Sequence, residues 1–172
     1  MTHEADTAFA DGELRRHLVR LLQGAEAHIN FDESVKNFPV DKAGVRPAGS
    51  PHSAWELLEH IRIALHDIAA FSGAMGSTDS GKNPTGYESL KWPDDYWPKS
   101  PAPKDAKEWN KSVAAIKDHM AAVLRLIEDP KQNLFEKFSW GDGQTLLREA
   151  LLIADHNAYH VGQLMLVRRM LE

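Results

Sequence analysis

TLLREALLIADHNAYHVGQLMLVRRML, residues 145–171, is a proline-free run whose apolar positions Leu147, Leu151, Ala154, Leu164, Val167 and Leu171 recur at helical spacing. Arg168 and Arg169 near its end suit the negative end of a helix dipole. Inside it, DHNAYHVGQL (Asp155–Leu164) places His156 and His160 four residues apart. That spacing turns a helix by about 400°, so both imidazoles leave one face, one turn apart. Two neutral imidazoles stacked in this way can share a divalent metal when a third ligand arrives from elsewhere.

Three further helical runs extend outward from this one. Residues 1–10 are expected to form a loose arm. From Asp11 to about Phe38, Leu14, Leu18, Leu21, Leu22, Ala25, Ile29 and Val35 keep helical spacing, with Asp11 as N-cap. Two prolines and two glycines make residues 39–49 a loop. Ser53-Ala54-Trp55-Glu56 is a capping box, in which the Ser hydroxyl and Glu carboxylate satisfy each other's backbone N–H groups. It opens a helix over Trp55–Met75 with Leu57, Ile61, Ala64, Ile68 and Phe71 as its stripe. A third helix runs from Lys104 to Glu128, with Trp109, Val113, Ile116, Met120, Val123, Leu124 and Ile127 on its apolar face. Asp129-Pro130 stops it.

Residues 77–103 carry five prolines around Trp92-Pro93-Asp94-Asp95-Tyr96-Trp97-Pro98. A connection this long exceeds the usual two to eight residues between bundle helices. It can return the chain to its starting end, making the second and third helices parallel. The expectation is one all-α domain over residues 1–172, a four-helix bundle running up-down-down-up with a long Trp/Pro-rich crossover.

Composition narrows the function. The net charge of −5 lacks the basic surface a nucleic-acid binder needs. There is no cysteine, so any thiol chemistry must use an external thiol. No window has the length of a membrane span, and the N-terminus reads as no signal peptide, so a cytoplasmic location is expected.

His60 is the choice for the third ligand, because it borders the buried stripe between Leu57 and Ala64. His66 lies about 240° further round the same helix. His17 and His28 are roughly 16 Å apart along theirs. His119 sits among Lys117 and Asp118 on a solvated face, while His52 is in a loop and His3 in the arm. Three imidazoles from two helices leave positions open to water and substrate, as catalytic sites do. On spacing alone, a histidine at the edge of an apolar face is more often a hydrogen-bonded core residue than a ligand. Two familiar motifs do not apply. The zincin base is replaced by Asn157, and no Glu is followed by His at i+3 as in di-iron bundles.

SAWELLEHIRIALHDI (53–68), WPDDYWP (92–98) and GQTLLREALLIADHNAYHVGQL (143–164), in this order and spacing, resemble the DinB-like family. The resemblance implies an up-down-down-up bundle that binds a divalent metal through His60, His156 and His160, with zinc or nickel as the ion. It also implies a homodimer, and some relatives transfer low-molecular-weight thiols. Two functions are thus expected: a metal-dependent enzyme, whether thiol transferase or hydrolase, acting on a small molecule, or a non-catalytic metal- or ligand-binding bundle. Glu56 and Gln163 are candidates to orient the ligands, and Trp92, Tyr96 and Trp97 to roof a pocket. Asp155, Glu59 and Asn157, each next to a ligand in sequence, are expected to face water. No catalytic side chain is assigned.

Overall fold

A computed structural model describes residues 2–24, 26–76 and 87–172. The first part of the expected crossover, residues 77–86, lies outside them, as does Ala25 of the expected first helix. The described residues form five helices and no strand: α1 (Thr2–Gln23), α2 (Phe31–Val35), α3 (Ala54–Phe71), α4 (Ala106–Glu128) and α5 (Leu146–Leu171). Single 3-10 turns occupy Val40–Lys42 and Asp94–Tyr96. α3 packs on α4 and α5, and α1 packs on the same two helices.

The first helical run is not continuous. α1 extends back to Thr2, where a loose arm was expected, and stops at Gln23. Gly24 adopts φ 68°, a left-handed conformation that ends a helix at little cost only for glycine. Asn30 then starts α2 by accepting the Glu33 N–H through its side chain. Ile29 therefore falls in a connection and is exposed, and Leu21 is exposed too.

α3 begins as the capping box requires. The Ser53 hydroxyl accepts from the Glu56 N–H, and the Glu56 carboxylate accepts from the Ser53 N–H at 2.8 Å. Its stripe is buried through Leu57, Ile61, Ala64, Leu65 and Ile68. The Ser53 hydroxyl also donates to the Pro101 carbonyl, joining the start of α3 to the segment leading into α4. Further along, the His66 and His119 rings meet at 4.8 Å. His119 is accordingly half-buried with an unpartnered Nδ1, and not on the solvated face expected for it.

α4 keeps Trp109, Ile116, Val123 and Ile127 buried and is capped by Asp105. α1 closes its other end. The buried Arg15 guanidinium donates to the Ile127, Asp129 and Gln132 carbonyls, and Asp11 holds it from one turn earlier. These carbonyls lie at and just beyond the α4 C-terminus, where the helix cannot satisfy them itself.

α5 differs from expectation in its first half. Leu146, Ala150 and Ile153 are buried, while the expected Leu151 is 48% exposed. The segment LLREALLIA is apolar on nearly every side, so its periodicity does not select a face. Leu164 and Val167 in the second half are buried as expected.

Candidate metal centre

The capping box sets the entry of α3, and His60 follows two turns later, only 2% exposed. α5 supplies His156, half-buried, and His160, buried. The ligand atoms available from these three histidines lie within 4.8 Å of one another, close enough to hold one metal ion. No other group of this kind occurs among the described residues.

The partners of the rings decide which nitrogens are free. His60 Nδ1 lies 2.8 Å from the Tyr96 carbonyl oxygen, which can only accept, so Nδ1 carries the hydrogen. His160 Nδ1 lies 2.7 Å from the Gln163 side-chain oxygen. His156 Nδ1 faces the Asn157 side-chain oxygen at the long distance of 3.5 Å. In a neutral imidazole only one nitrogen carries hydrogen, which leaves a lone pair on Nε2 of His60 and of His160, and on Nε2 of His156 when its hydrogen is on Nδ1. The Nε2 atoms of His60 and His156 are 3.1 Å apart. Two lone pairs meeting at that distance repel unless a cation or proton lies between them. A divalent cation would satisfy all three, and an acceptor behind each Nδ1 is the usual support of a metal-ligating histidine. The donor set fits a nitrogen-preferring ion such as zinc or nickel.

The ionisation state agrees. Burial pushes the pKa of all three imidazoles down. For His60 the Tyr96 bond opposes this; for His156, Asn157 and Asp155 do. His160 is lowered to about 4 by burial and by its two histidine neighbours. The cluster is thus neutral at pH 7, as metal ligation requires.

The segment around Trp97 closes one side. Trp97 stacks on His60 with centroids 4.1 Å apart and planes within 5°, and its ring also stacks on His52 at 4.0 Å. Tyr96 reaches the site twice: its carbonyl holds His60, and its hydroxyl donates to Asp67 at 2.7 Å. Beside the cluster lies a cavity of about 480 Å³, lined by His156 together with Asp67, Glu149, Tyr96, Trp92 and Trp140. A larger, mostly apolar cavity of about 530 Å³ between α1, α4 and α5 touches Asn157 but none of the three histidines.

Gln163 and Trp97 sit against the ligands, and Trp92 lines the cavity while remaining 71% exposed. Glu56 does not orient His60. Its carboxylate is taken by the Ser53 N–H and by the Arg46 guanidinium, and a backbone carbonyl occupies the place beside His60 Nδ1. Asp155 is exposed, but Glu59 is buried against Arg62 and Asn157 is half-buried, so neither simply faces water. His52, Asp67 and Glu149 were not anticipated. A signal existed for two of them: Asp67 is seven residues after His60, and Glu149 seven before His156. Seven residues is two turns on the same helix face.

The sequence model of the DinB superfamily matches residues 23–164, which include every residue of the centre. No curated protein and no solved structure matches the chain. With most of its length matched, this all-helical chain belongs to the DinB superfamily.

Proposed function

We propose that the chain is a divalent-metal-dependent enzyme that transfers a low-molecular-weight thiol to an electrophilic small molecule. One observation carries the reading: three neutral imidazoles bring their ligand nitrogens within 4.8 Å of one another beside a cavity large enough for a small molecule. A divalent ion bound there would supply a Lewis acid that favours the thiolate over the thiol. The residues around it hold the site ready. Tyr96 and Gln163 fix the His60 and His160 rings, and Trp97 keeps water from one face of His60. The chain has no cysteine, so the sulfur is the cosubstrate's. A C–S bond forms at the electrophilic carbon, the leaving group departs with its bonding pair, and the thiol proton passes to solvent.

A metal-dependent hydrolase is the second reading, favoured by Glu149. This carboxyl lines the cavity, is 3% exposed and has its pKa raised by burial, as suits a general acid or base. A panel of small thiols and electrophiles, with and without chelator, separates the two. Chelator-sensitive turnover that requires a thiol supports transfer, and turnover in water alone supports hydrolysis. No chelator-sensitive turnover at all leaves a binding module. Metal analysis comes first, and equal metal in wild type and His160→Ala would end the metal reading.

Two structural expectations belong to the same proposal. The contacts of Ser53 with Pro101 and of His66 with His119 support parallel α3 and α4, hence an up-down-down-up bundle. A homodimer has a candidate surface in Leu151, Tyr159, Leu166 and Met170, exposed within one arc of about 100° on α5. Light scattering on Leu166→Glu tests it, with a monomer as the expected result.

A further inference from the structure

We propose that the cavity beside the histidine cluster binds the ammonium group of a small molecule, with Asp67 as its counter-charge and the rings of Tyr87, Tyr96 and Trp140 as its walls. This rests on reading that cavity as the substrate side of the metal centre.

The lining is rich in acceptors and poor in cations. It holds the carboxylates of Asp67, Asp142 and Glu149 against the single guanidinium of Arg148. That guanidinium is already bonded to Glu149 at 2.8 Å. Among the described residues no lysine or arginine pairs with Asp67. Its carboxylate accepts instead from the Tyr96 hydroxyl, and Tyr87 interacts with it too. A hydroxyl offers one hydrogen and no charge, so among the described residues the carboxylate has no cationic partner within its aromatic walls. Gln144, a residue of the same lining, has a buried Oε1 without a hydrogen-bond partner. Such an atom calls for a donor.

Aromatic faces around a carboxylate are the chemistry that selects an organic cation, because the ring quadrupole attracts positive charge most strongly where water is excluded. Tyr96 also sets the geometry, since its carbonyl holds His60 while its hydroxyl holds Asp67. With His156 on the same lining, a guest whose ammonium lies near Asp67 extends toward the cluster. The expected guest is an amine-bearing substrate or thiol cosubstrate. A carboxylate-bearing one is disfavoured by repulsion.

Choline and its uncharged isostere 3,3-dimethylbutan-1-ol are titrated against the full chain, read by tryptophan fluorescence and calorimetry. Choline is expected to bind at least tenfold more tightly than the alcohol. Asp67→Asn should abolish that preference, and Glu149→Gln, which keeps the shape of the wall but leaves the Arg148 guanidinium unneutralised on the lining, should reduce it several-fold. Equal affinity for the two probes overturns the proposal, as does an unchanged preference in whichever of the two variants retains the wild-type melting curve. Metal content is read on the same samples. Equal metal in wild type and His160→Ala overturns the metal reading while leaving a choline preference intact, so the two failures are distinguishable.

Discussion

Replacing Gln163 by leucine removes the oxygen that holds His160 Nδ1 at 2.7 Å, while leaving a side chain of similar size in a half-buried position. The three ligands themselves remain. Two things change at His160: its Nδ1 hydrogen loses its partner, and the tautomer with hydrogen on Nε2, which cannot ligate, is no longer disfavoured. Loss of such a supporting acceptor typically weakens metal binding about 10–100-fold, or about 1.4–2.7 kcal/mol. The assay is competition for zinc against a chromophoric chelator at pH 7.5. Gln163→Glu, which keeps an acceptor in place, should bind at least as tightly as wild type. Wild-type affinity in Gln163→Leu, with the fold intact by circular dichroism, would refute the reasoning. The Gln163 contact would then be incidental and the lone-pair assignment of His160 unsupported.

Arg15→Ala strips three carbonyls at the end of α4 of their charged donor and should cost roughly 2–4 kcal/mol, read as a lower urea midpoint. Gly44→Ala would drive its Cβ into Ala102, so about 1–3 kcal/mol should be lost, read as a lower urea midpoint. Stability of the metal-free chain should also depend on pH. His160 has a folded-state pKa of about 4 against an ordinary 6.5, so the unfolded chain binds the proton more readily. The stability is full above 6.5 and lost as pH falls toward 4, with His60 and His156 adding in the same direction. Melting curves in chelator between pH 7.5 and 4 check this, and His160→Ala should show a shallower fall.

Periodicity made the centre legible, because the i, i+4 spacing of His156 and His160 and the place of His60 on the α3 stripe are properties of the helix itself. It failed where the pattern was degenerate. In LLREALLIA an apolar residue faces nearly every direction, and the stripe placed on Leu151 belongs to its neighbours Ala150 and Ile153. The break at Gly24 was hidden because apolar residues resume helical spacing beyond it, and only the backbone reveals the left-handed turn. Glu56 was legible as a cap but not as the partner of Arg46, which comes from a loop with no periodic signal. The atom that holds His60 is a main-chain carbonyl, whose position no residue type announces. Asp67 and Glu149 were available to the same two-turn argument that relates residues on one helix face.

Anomalous scattering at a metal edge is the direct test of metal binding by the three histidines. One peak is expected among His60, His156 and His160 in crystals grown with zinc or nickel, and none there in His160→Ala. A peak bound elsewhere, or a cluster that stays empty with excess metal present, would contradict it.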